Sequence, residues 1–177
     1  MNDQDTRTQT REAARGVLQE LLRLMGFEGR VEASDQGEQE VLLRLECPDA
    51  APLIGRKGQV LDALQFVLGR MLFRQGGRDL HFVVDVGGYR DRRKEQVLRD
   101  ATAAIEEVKR TNQAIKLPGM SAGERRLVHH LVAEHPGLET FSEPTEEDGR
   151  KRVVINPVGQ PGPAGSAPVL EGGGETP

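Results

Sequence analysis

Apolar residues recur at helical spacing through Ala13, Val17, Leu18, Leu21, Leu22 and Leu24, which predicts a helix from Thr8 to Met25 that Gly26 ends. Gly29–Ser34 and Val41–Cys47 read as two strands joined by the polar turn Asp35-Gln36-Gly37-Glu38. Asp49 to Ile54 reads as a short helix. A second amphipathic helix from Val60 to Phe73 carries Val60, Leu61, Leu64, Val67, Leu68, Met71 and Leu72, and Gly76-Gly77 stops it. Leu80 to Val86 alternates like a strand, with Phe82 and Val84 on one face.

The second half starts with a long helix, about Tyr89 to Asn112, whose stripe is Val97, Leu98, Ala101, Ala104, Ile105 and Val108. Ala114 to Leu117 reads as a short strand. The helix Ser121–Glu134 begins with a capping box, Ser121 as N-cap and Glu124 three residues on. Leu138–Ser142 and Arg152–Asn156 read as strands around the acidic turn Glu143–Gly149. After Pro157 the Pro- and Gly-rich stretch cannot bury enough apolar area to offset its ordering entropy, so residues 158–177 are expected to be a disordered tail. The pattern predicts a two-domain α+β protein: residues 1–11 flexible, a first domain over 12–88, a connecting helix over 89–113 and a second domain over 114–157.

Composition narrows the function classes. Of 177 residues, 36% are hydrophobic and 29% charged, which suits a soluble chain of one or two small domains. No run approaches the roughly 20 apolar residues of a membrane helix. Met1–Thr10 lacks the apolar core of a signal peptide, so a cytoplasmic location is expected. The single Cys47 excludes an internal disulfide and a multi-cysteine metal site.

Charge is unevenly spread. The net is −4, yet residues 51–130 hold 15 basic and 9 acidic side chains, while both flanking segments are net acidic. Local field rather than net charge steers a polyanion to its site. With five Phe, one Tyr and no Trp, the chain is poorly equipped to stack successive bases on rings. Phosphate contacts and an aliphatic groove would have to dominate any RNA binding.

Two local patterns sit in or beside this basic segment. Ile54-Gly55-Arg56-Lys57-Gly58 places two glycines around two cations immediately before a helix N-terminus. Glycines let a phosphate backbone approach closely, and the helix end adds N–H donors and positive dipole. The bland alternative is an ordinary helix–turn–helix corner. A Gly-x-x-Gly turn between two helices, with an extra helix and strand ahead of it, resembles the KH domain in its type II arrangement, a three-stranded sheet with helices on one face. The resemblance implies that the turn grips the sugar-phosphate backbone of about four nucleotides. Arg56 and Lys57 would then contact phosphates, Gly55 and Gly58 would admit the strand, and Ile54, Val60 and Leu61 would serve the groove or the core.

The second pattern is Glu124-Arg125-Arg126-Leu127-Val128-His129-His130. Arg125 and His129 are four apart and share one helical face, with Leu127, Val128, Leu131 and Val132 opposite. This resembles the R-3-H domain, a small α/β module that binds single-stranded nucleic acid. The resemblance implies Arg125 and His129 as the motif pair and Arg126 as a further phosphate contact. An exposed, charge-bearing helix face is the bland alternative.

Together the two patterns, joined by the basic stretch Gly88 to Lys94, are similar to the bacterial Jag/KhpB family of RNA-binding proteins over about residues 12–157. Many members carry a further N-terminal domain, whereas this sequence starts almost directly at its KH-like part. The resemblance implies single-stranded RNA as ligand, a small KH-domain protein as partner, and work as an RNA chaperone or post-transcriptional regulator that influences cell elongation and envelope homeostasis. Arg92 and Arg93 would bridge the two RNA-binding surfaces. Neither a cofactor nor catalysis is expected. The histidines His81, His129, His130 and His135 lack a completing ligand set, and no phosphate-cradling loop of the nucleotide hydrolases is present. Two other readings stay open: a protein-interaction scaffold and a single-stranded DNA binder.

Overall fold

The first helix is longer than its apolar stripe. Helix α1 spans Asp3–Leu24, so residues 3–11, expected to be flexible, are helical. Arg7 and Arg11 lie four apart on one face and reach the hairpin turn. Arg7 Nη1 donates to the Glu38 carbonyl at 2.7 Å and its Nη2 to the Gly37 carbonyl, and both arginines pair with Asp35 at 3.2 and 2.8 Å. These ties are ionic, which is why a search for apolar periodicity begins the helix too late. Of the expected stripe, Leu18 and Leu22 are buried and Val17 and Leu21 pack half-buried against the same core, whereas Ala14 takes the place of Ala13 and Leu24 is exposed.

The computed structural model describes residues 3–74, 80–145 and 149–160. The Gly76-Gly77 stop, residues 146–148 of the acidic turn and the tail from 161 onward lie outside the described residues. The chain divides into two units, Met1–Arg90 and Asp91–Pro177.

In the first unit, strands β1 (Arg30–Gln36) and β2 (Glu40–Glu46) form an antiparallel hairpin, and β3 (His81–Val86) pairs with β2 in parallel. The order β1-β2-β3 makes β3 an edge strand. Between β2 and β3 lie α2 (Ala51–Ile54), a single 3₁₀ turn (Arg56–Gly58) and α3 (Gln59–Arg74). Alternation puts Val41, Leu43, Leu45, Phe82, Val84 and Val86 on one face, where they meet Leu18 and Leu22 of α1, Leu53 of α2 and Leu61, Leu64, Leu68 and Leu72 of α3. Of the seven apolar positions expected for α3, Val60, Val67 and Met71 remain 37%, 46% and 37% exposed.

Helix α4 (Tyr89–Thr111) starts with the last two residues of the first unit, and in the second unit it contributes Val97, Ala101, Ala104, Ile105 and Val108 to a separate core. This helix, expected as a connector, is a wall of the unit. The sheet has order β4-β6-β5, from Ile115–Lys116, Lys151–Pro157 and Leu138–Pro144, all antiparallel. Helix α5 (Ala122–Ala133) adds Val128 and Val132 and starts with the expected capping box. Among the described residues, no helix is long and apolar enough to cross a membrane.

Candidate nucleic-acid interface

The Gly55–Gly58 turn is built from backbone shapes that most side chains avoid. Gly55 has φ 67° and ψ −178°, a region essentially reserved for glycine. A Cβ there would overlap the Val60 side chain and lie 3.1 Å from the Val60 amide nitrogen. Lys57 is left-handed at φ 52°, ψ 32°, and Gly58 follows at φ 79°. The turn closes on two backbone bonds, Gly58 N–H to the Gly55 carbonyl at 3.2 Å and Gln59 N–H to the Arg56 carbonyl. Arg56 is exposed and Lys57 half-buried at the N-terminal end of α3, where dipole and cations add in sign. Ile54 is half-buried against the first core, and Gly58 is buried. The arrangement offers an anion two positive side chains beside a helix N-terminus.

A second group in this unit is invisible to motif reading. The buried Asp85 carboxylate accepts from the Gly88 and Arg90 amides at 2.8 and 3.0 Å, satisfying N–H groups at the start of α4. Arg90 Nε donates to the Val84 carbonyl at 2.6 Å, and the Gln65 side-chain oxygen accepts from the Val84 amide at 3.0 Å. Arg90 also donates to Gln65 at 2.8 Å and pairs with Asp62 at 3.4 Å. Side chains therefore occupy the free edge of β3 at Val84, one of the ways an exposed strand edge is protected. Gln65 and Asp62 of α3 lie 19 to 28 residues from the partners they meet here, beyond the reach of local periodicity.

In the second unit, Ser121 and Glu124 exchange backbone and side-chain bonds, and Glu124 then pairs with Arg93 at 2.8 Å, each side chain only 13% exposed. Arg93, expected at an RNA surface, thus ties the capped end of α5 to α4; Arg92 is exposed. On α5 itself, Arg126 is exposed. Arg125 is half-buried and donates to the Met120 carbonyl at 3.3 Å. His129 is tied to β5 through both ring nitrogens, Nδ1 with Thr140 Oγ1 at 2.6 Å and Nε2 with Ser142 Oγ at 3.1 Å. Burial pushes the His129 pKa down, and the nearby Arg125 and His130 push it the same way. The two ring contacts tie the middle of the α5 face that carries Arg125 to strand β5. Near the end of β5, burial opposes ionisation of Glu143. Hydrogen bonds from Arg152 (2.7 Å) and Lys116 (3.3 Å) outweigh burial, so its pKa is lowered.

Among the described residues, no group of three or more His, Cys, Asp or Glu side chains could hold a metal ion. Residues 95–157 match the R-3-H domain family, so the second unit carries an R-3-H domain that includes most of α4. Similar proteins include RNA-binding protein KhpB of Clostridium symbiosum, 30% identical over 122 residues, 69% of this chain and 54% of that protein. The protein of the same name in Lactiplantibacillus plantarum is 31% identical over 121 residues, 68% of this chain and 37% of that one. The Bacillus subtilis protein is 30% identical over 107 residues, 60% and 51% of the two chains. The chain thus spans about half or less of the length of these relatives.

Proposed function

We propose that this chain is a non-enzymatic single-stranded RNA-binding protein whose first unit acts as a type II KH domain and whose second unit adds an R-3-H surface. The observation that carries the reading is the Gly55–Gly58 turn: left-handed and glycine-only backbone, two cations and a helix N-terminus at one place. The α-β-β-α-turn-α-β order around that turn supports the KH reading. The names of the relatives support RNA as the polymer. In this account Gly55 and Gly58 admit the strand, Arg56 and Lys57 contact phosphates, Ile54 supports the groove, and Arg92, Arg125 and Arg126 supply further phosphate contacts. His129 positions Arg125. Arg93 is left out of the contact set because Glu124 holds it.

At the level of the cell, the protein acts as a cytoplasmic RNA chaperone or post-transcriptional regulator. It pairs with a small KH-domain protein and influences elongation and envelope homeostasis. Crosslinking in cells followed by sequencing of the bound RNA tests the core of it. Enrichment of discrete transcripts over background is expected; background-level recovery would favour a protein scaffold instead. Competition between RNA and DNA strands of one sequence separates the remaining alternative.

A further inference from the structure

The turn has packing neighbours on both sides, and one of them lies outside every motif in the chain. A Cβ placed on Gly58 would stand 2.9 Å from Tyr89 Cε1, 3.4 Å from its Oη and 3.5 Å from its Cζ. The ring of the chain's single tyrosine therefore lies directly over the Gly58 backbone. Tyr89 is half-buried against the first core, as is Ile54 at the opposite end of the turn. The backbone that carries the ring is firmly held. Asp85 accepts from the amides on either side of it in sequence, Gly88 and Arg90, and the Arg90 side chain is clamped to Val84, Gln65 and Asp62.

A left-handed lysine and a glycine-only Gly55 persist only when their surroundings over-determine them. Packing adds to the two backbone hydrogen bonds within the turn, with Val60 against Gly55 on one side and Tyr89 against Gly58 on the other.

We propose that Tyr89 is a positioning residue of the Gly55–Gly58 turn, the uncharged wall that holds the turn in its anion-accepting shape. The proposal rests on reading that turn as a phosphate-binding element. Its consequence is that RNA affinity depends on a ring through preorganisation of the turn rather than through a new contact.

The test uses the full chain with Tyr89→Ala and Tyr89→Phe, each also combined with Arg56→Ser and Lys57→Ser. Amide hydrogen exchange at Gly58 and Gln59 should quicken at least about tenfold in Tyr89→Ala, while the amides of Leu43 and Leu45 in β2 keep their protection. Affinity for a single-stranded RNA should fall about tenfold by loss of preorganisation, and Tyr89→Phe should restore both readouts. In the background lacking the two cations, Tyr89→Ala should cost less than about twofold, because the turn no longer contributes what the ring positions. Unchanged exchange at Gly58 and Gln59, or an equal affinity loss in both backgrounds, would overturn the proposal. If Arg56→Ser with Lys57→Ser leaves RNA affinity untouched, the phosphate reading itself fails, and exchange alone still decides what Tyr89 does. Should β2 lose protection in Tyr89→Ala, Tyr89→Leu takes its place with the same criteria.

Discussion

Gly55 and Gly58 share a positive φ but differ in what a Cβ would meet. At Gly55 it would overlap the Val60 side chain; at Gly58 a Tyr89 ring stands where the Cβ would go. Gly55→Ala should therefore cost about 1–3 kcal/mol of first-unit stability, the usual cost of a strained backbone position. Urea denaturation would show it, and an unchanged midpoint would mean the turn relaxes freely. His129 makes a different prediction. Its folded pKa lies below the ordinary value of 6.5. The unfolded chain thus binds a proton that the folded chain refuses, and second-unit stability should fall as pH drops below about 6.5. His129→Gln should flatten that part of the profile, and a persisting slope would assign it to another group. Residue types at both places were legible in the sequence. The Asp62–Gln65–Asp85–Arg90 arrangement was not, since it joins side chains that only the fold brings together.

At the scale of elements, periodicity locates the helices and strands well and their ends less well. Helix α3 shows why. Its sequence presents seven apolar positions, and only Leu61, Leu64, Leu68 and Leu72 fall on the stripe that the sheet covers. Leu61→Ala should cost about 2–5 kcal/mol through transfer and cavity terms. Val67→Ala should stay within about 0.5 kcal/mol, as surface changes do. Comparable losses at both positions in thermal unfolding would contradict the burial pattern. The early start of α1 is hidden for a related reason: Arg7 and Arg11 hold it by charge, and a hydrophobic stripe carries no trace of that. Helix α4 reads as a connector because its apolar stripe says that it packs but not against what.

For the whole molecule, two separate cores and a basic middle segment inside an acidic chain were readable from patterning and charge. Which cations remain available for a ligand was not. Arg93 and Arg126 look alike in sequence, yet Arg93 is 13% exposed on Glu124 while Arg126 is exposed. Arg126→Ala should lower RNA affinity and reduce the salt slope by about one phosphate contact. Arg93→Gln should instead lower second-unit stability and leave the slope unchanged. The reverse assignment in a salt series would show that the Arg93–Glu124 pair opens on binding.

If the Gly55–Gly58 turn holds RNA phosphates as proposed, charge reversal within it must show. Filter binding of a single-stranded RNA across a salt series should show wild-type affinity falling linearly in the logarithm of salt concentration. Arg56→Asp with Lys57→Asp should weaken binding strongly at moderate salt and flatten the slope by about two phosphate contacts, without changing the unfolding transition. Equal affinity and equal slope for the wild type and the variant would contradict the account.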